Sequence, residues 1–95
     1  MVMNKALDYI LAVSREHSFS KAAEKLYVSQ PSLSTAIQKE EHKWGASFFD
    51  RSSTPVELTE DGSYYIQTMK EILELQNQMK DHFNANKKKK NMVIN

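Results

Sequence analysis

The chain has no cysteine, and among its 95 residues there are only two glycines, two prolines and one tryptophan. Without cysteine there is neither a disulfide framework nor a thiolate metal site, which fits a cytoplasmic protein. The shortage of glycine and proline, beside abundant Lys, Glu, Gln, Ala and Leu, points to a mainly α chain. No apolar run approaches the roughly twenty residues that would span a bilayer. The N-terminus lacks a long apolar segment, and Lys5 and Asp8 interrupt its first turns, so no secretory signal is expected. His17, His42 and His82 lie far apart, with no carboxylates at ligand spacing, so no metal is expected. No Ser/His/Asp set presents a nucleophile and no glycine-rich loop could cradle a nucleotide. Enzyme chemistry and a cofactor are therefore not implied. What is present is 40% hydrophobic and 9% aromatic residues, enough for one modest core.

Charge is informative by its distribution. The net value is only +1. Residues 1 to 58 carry seven basic and seven acidic side chains, residues 59 to 86 carry two basic and five acidic, and Lys87 to Lys90 add four basic ones. A polyanion would therefore have to be met by a locally basic face (Lys21, Lys25, Lys39) and by helix N-termini rather than by a global field.

Ser18 to Ile37 reads as two short helices joined by a tight turn. Ala22 and Ala23 let the helices approach closely, and Leu26, Val28, Leu33 and Ile37 supply apolar faces. Ser18 or Ser20 caps the first helix. Ser29 caps the second, with Gln30, Pro31 and Ser32 in its first turn, where a proline costs no hydrogen bond. The pattern predicts a helix from about Gln30 to Trp44, ended by Gly45 in the left-handed region. Its exposed residues, Gln30, Ser32, Ser34, Thr35, Gln38 and Lys39, suit base edges and phosphates if the helix lies in a DNA major groove. Trp44 ends the apolar stripe and is expected in the core. A first helix over residues 4 to 16 presents Met3, Leu7, Ile10, Leu11 and Ser14, flanked by Val13. Phe48–Arg51 and Val56–Leu58 flank Ser52, Ser53, Thr54 and Pro55, which predicts a two-stranded wing.

Leu7 to Gly62 resembles the N-terminal domain of LysR-type bacterial transcription regulators. The matching residues are Phe19-Ser20-Lys21-Ala22-Ala23, Leu26, Val28-Ser29-Gln30-Pro31, Leu33-Ser34, Ile37, Glu41, Gly45, Phe49, Arg51, Leu58-Thr59-Glu60 and Gly62. The resemblance implies a winged helix-turn-helix with a two-stranded wing and a long C-terminal linker helix. It also implies sequence-specific binding of double-stranded operator DNA and a homodimer. A small-molecule effector would bind only a missing C-terminal domain. On this reading Ser20, Lys21, Ser29 and Pro31 join the exposed α-helical residues as DNA contacts, together with Ser53, Thr54 and Pro55 of the wing. Several positions depart from the family. Thr35 and Thr54 stand where arginines are frequent. Glu40 stands where relatives have leucine, so that either its stem packs while the charge escapes or a lysine pairs with it. Tyr27 occupies a turn position that often holds glycine, implying local strain or a different turn. Glu41 and Arg51 are expected to pair and to hold the wing against the helix.

Residues 1 to 58 thus form the reading domain. Residues 59 to 86 form a linker helix capped by Thr59, with Glu60 and Asp61 at its positive end. Tyr65, Met69, Ile72, Leu73, Gln76, Met79 and Phe83 form its dimer seam, widened by Ile66. Residues 87 to 95 are read as a solvated lysine hinge followed by the truncated first strand of the absent domain. Two rivals remain at this level: a MarR-like winged-helix repressor, and a helical adaptor that binds protein alone.

Overall fold

A computed structural model describes residues 5–94, with side chains through residue 86; Met3 therefore lies outside the described residues. Three helices come first: α1 (Lys5–Glu16), α2 (Phe19–Leu26) and α3 (Gln30–Trp44). A hairpin of β1 (Phe49–Asp50) and β2 (Glu57–Leu58) follows, and then α4 (Glu60–Ile94). Each boundary has a chemical cause. At the end of α1, His17 turns into the left-handed region (φ 55°) and its N–H reaches the Val13 carbonyl at 2.8 Å. Ser18, rather than Ser20, caps α2, its Oγ accepting from the Lys21 amide at 3.1 Å. The helix closes on Tyr27 at φ 57°, with its N–H bonded to the Glu24 carbonyl at 3.2 Å and that of Val28 to Ala23 at 3.1 Å. Of the two turn outcomes, the chain thus adopts the left-handed one on a non-glycine residue, a conformation that L side chains tolerate at some cost.

Ser29 caps α3, Pro31 sits in its first turn, and Gly45 ends it at φ 64°. The expected limits of this helix hold because all three punctuating residues act through purely local geometry.

The three helices close on one another through Leu7, Ile10, Val13, Ala22, Ala23, Leu33 and Ile37, all buried, with Phe48 and Phe49 sealing the wing side. Ile10, Val13, Leu33, Ile37 and Phe48 are fully enclosed; each contributes about 1.5–3 kcal/mol by leaving water. Phe48 stacks on Tyr65 (centroids 4.5 Å apart), and Phe19 meets Phe49 edge-on at 5.6 Å. The wing strands run antiparallel with Phe49 opposite Leu58 and Asp50 opposite Glu57. They are shorter than expected, because Arg51 and Val56 already belong to the turn and its approach.

Thr59 joins the wing to α4. Its Oγ1 accepts from the Gly62 amide at 3.0 Å and donates to the Ser47 carbonyl at 2.6 Å. Gly62 permits this close approach: a Cβ there would collide with the Phe48 carbonyl oxygen and the Leu58 side chain.

Several expectations are corrected. Trp44 is not core but 58% exposed, because its neighbour on the stripe, Glu40, cannot seal an apolar face. Tyr65 and Ile66, expected on or beside the dimer seam, are buried in the domain (7% and 9% exposed). A helical stripe reports that a face is apolar without saying what covers it. The lysine hinge and strand are not found over 87–94, where the backbone of α4 continues as helix to Ile94. Neither glycine nor proline follows Gly62, and lysine is a good helix former. Asn95 lies outside the described residues.

Candidate nucleic-acid interface

The buried side of α3 is Leu33, Ile37 and Glu41 at intervals of four, so the opposite side must face solvent. Gln30, Pro31, Ser32, Thr35, Gln38 and Lys39 are exposed there, whereas Ser34 is half-buried at the margin. Pro31, Ser32, Thr35 and Lys39 share one shallow depression along the helix. Ser29 is committed to the cap: its Oγ accepts from the Ser32 amide at 3.2 Å and donates to the Ser32 hydroxyl at 2.8 Å.

Gln30 is held from the preceding helix. The Ser20 hydroxyl donates to Gln30 Oε1 at 2.8 Å, across ten residues of sequence. That bond takes up one of the two acceptor sites of the amide oxygen and restrains the side chain, which keeps a second acceptor site and two N–H donors for a partner. Lys21, next to Ser20 at the start of α2, and Lys25 are exposed as well. The sequence named Ser20 and Gln30 separately; their bond depends on how the two helices pack, which no spacing rule encodes.

The wing is braced from two sides. Glu41, 9% exposed, accepts from the Phe48 amide at 2.8 Å and pairs with Arg51 through contacts of 3.2 and 3.5 Å. The guanidinium also lies 5.0 Å from the Phe19 ring centroid. The expected Glu41–Arg51 pair is therefore present, two-pronged and anchored to backbone. On the other side the Val56 amide bonds to the His17 carbonyl at 3.1 Å, and His17 Nδ1 lies 3.1 Å from the Val56 carbonyl and 3.5 Å from Glu57. This second brace was missed, since a lone histidine at a helix end carries no signal for a contact 39 residues away.

At the tip, Ser53 is half-buried while Thr54 and Pro55 are exposed. The Asp50 carboxylate accepts from both the hydroxyl and the amide of Ser52, at 2.6 and 3.0 Å. Chiefly the Ser52 hydroxyl, then the backbone bonds, hold Asp50 below its ordinary value of 3.8.

Glu40 adopts neither arrangement expected for it. It accepts from the Tyr65 hydroxyl at 2.7 Å and the Trp44 indole at 3.2 Å.

Helices α2 and α3, with a hairpin following and a capped helix leaving it, define a winged helix-turn-helix. A sequence profile of the bacterial regulatory helix-turn-helix proteins of the lysR family matches residues 4–63. The chain is 41% identical over 69 residues to YcgK, an uncharacterized HTH-type transcriptional regulator of Bacillus subtilis, covering 73% of this chain and 21% of that protein. It is 41% identical over 73 residues to the HTH-type transcriptional regulator BenM of Acinetobacter baylyi, covering 77% and 24%. Among solved structures it resembles the complex of the BenM DNA-binding domain with benA site 1 DNA (TM-score 0.72, 37% identity, 87% of this chain and 94% of that one). It also resembles the CbnR DNA-binding domain in complex with DNA (TM-score 0.74, 32% identity, 88% and 98%). The chain belongs to the lysR family of bacterial regulatory helix-turn-helix proteins, which sets aside the MarR-like reading. Its relatives are transcriptional regulators, not enzymes, and it spans about a fifth to a quarter of the length of these two. Among the described residues no helix is long and apolar enough to cross a membrane.

Proposed function

We propose that this chain is the operator-reading module of a LysR-type transcription regulator, acting on double-stranded DNA as a homodimer. The bond from Ser20 to Gln30 carries the reading. A protein with no use for direction at that surface gains nothing by fixing an exposed amide, whereas a base reader needs it pre-set. Gln30 and Gln38 donate to or accept from base edges, with Ser32, Ser34 and Thr35 beside them. Lys21 and Lys39 meet phosphates, and Ser53, Thr54 and Pro55 lie along the adjacent backbone or minor groove. Similar domains solved on DNA support this use of the fold.

Dimerisation is supported by α4. Tyr64, Ile72, Leu75, Met79 and Phe83 are exposed apolar side chains recurring at helical spacing. Leu73, Met69 and Gln76 are partly covered at its flank. Such a stripe is stable in water when paired, and a twofold pair would present two copies of α3 to a palindromic site. The effector of the whole regulator would bind residues beyond this module.

A salt-titrated band shift tests the reading. Replacing Gln30 with Ala should weaken a selected operator by about 1–3 kcal/mol and leave random duplex nearly unchanged. Equal loss on both would refute direct readout. No duplex affinity above background would favour the adaptor.

A further inference from the structure

Two neighbouring acidic residues of α3 point to two different elements. Glu41 holds the wing, whereas Glu40 reaches α4, accepting the Tyr65 hydroxyl at 2.7 Å. The same Glu40 oxygen accepts the Trp44 indole N–H at 3.2 Å, so the side chain is held from its own helix as well. Tyr65 is itself fixed, its ring buried and stacked on Phe48. The joint is thus polar and directional where an aliphatic contact could slide, since hydrogen bonds lose strength steeply with angle whereas apolar packing does not.

We propose that Glu40 is a positioning residue that sets the angle between the recognition helix and α4, and through it the spacing of the two DNA half-sites the dimer accepts. The inference rests on the dimer reading above. Its geometry is that of a lever. Tyr65 and Met79 are fourteen positions apart on one helix, about 21 Å at the α-helical rise. A tilt of about 5° at the joint moves the seam by roughly 2 Å in each protomer, and the twofold doubles it to about one base-pair step. Loss of the joint therefore alters where the second α3 meets DNA without touching any residue that reads bases.

The test uses the 95-residue chain and a pool of randomised duplexes, from which bound molecules are selected and sequenced. Parent and Glu40→Gln, whose amide oxygen can accept both bonds, should select the same half-sites at the same spacing. Tyr65→Phe keeps the buried ring and deletes only the hydroxyl. It should select the same half-site bases with the spacing broadened or displaced by about one base pair. Glu40→Leu should do the same. A purely structural residue would lower the melting temperature and leave the spacing distribution untouched, and that result in Tyr65→Phe would overturn the proposal. If the parent sediments as a monomer and selects single half-sites, both the joint's role and the dimer reading fall. If the parent is a dimer and the variants keep its spacing, only the joint's role falls.

Discussion

Truncating Glu41 should be the most damaging single change to the wing, and the structure says which of its bonds decides the cost. The carboxylate serves the Phe48 amide and the Arg51 guanidinium. Arg51 has 39% of its side chain exposed, so after Glu41→Ala it can recover water. The Phe48 amide cannot recover so easily, because it belongs to a buried residue and its bond to the carboxylate is itself buried. A buried donor left unmade costs about 1–3 kcal/mol, and the lost charge-assisted bond to Arg51 adds about 1 kcal/mol after solvent screening. Glu41→Ala should therefore destabilise by about 2–4 kcal/mol, lowering the melting temperature by roughly 10–25 °C in a domain of this size. Arg51→Ala removes the screened pair and its contact with the Phe19 ring, together about 1–2 kcal/mol. Urea denaturation followed by circular dichroism measures both, and the double variant gives the coupling. Arg51→Ala costing as much as Glu41→Ala would show that the pair, not the amide anchor, is what matters. Glu41→Ala within about 0.5 kcal/mol of the parent would refute the whole account of the wing.

Gly62→Ala should destabilise by about 1–3 kcal/mol by forcing Phe48 and the Thr59 cap apart, measured by the same denaturation. Ser20→Ala should lower affinity for a selected operator by about 0.5–1.5 kcal/mol while sparing random duplex, because Gln30 loses its orienting bond; a band shift decides it. The Asp50 carboxyl should titrate below 3.8 by NMR and return towards that value in Ser52→Ala. Since its folded value is the lower one, its contribution is complete above 3.8 and is lost as pH falls through the folded value. Met79→Lys with Phe83→Lys, both exposed, should leave the helix-turn-helix folded but keep the chain monomeric in sedimentation. A persistent dimer would move the interface elsewhere.

Legibility followed the range of the interaction. The ends of α3 were legible because Ser29, Pro31 and Gly45 act within a few residues of themselves. Glu41 and Arg51 were legible because both match the family pattern, ten positions apart. Trp44 was misjudged for a different reason. Helical spacing put it on the line of Leu33 and Ile37, but the neighbouring glutamate opens that line to water. Tyr65 and Ile66 show the same limit on α4, where one apolar stripe serves the domain core at its start and is exposed further along. No periodicity marks that change of partner. The Ser20–Gln30 and His17–Val56 contacts were illegible because they exist only once separate elements are packed.

Trp44 gives this architecture an optical consequence. It is the sole indole of the chain, 58% exposed, and it lines an apolar groove with Tyr64 and Ile72. Its ring faces water while its N–H is tied to the carboxylate that also holds Tyr65. A partner helix laid in that groove would strip the ring of water and shift its emission to shorter wavelength, with no dye attached. Dilution would reverse the shift at the concentration where the two chains part.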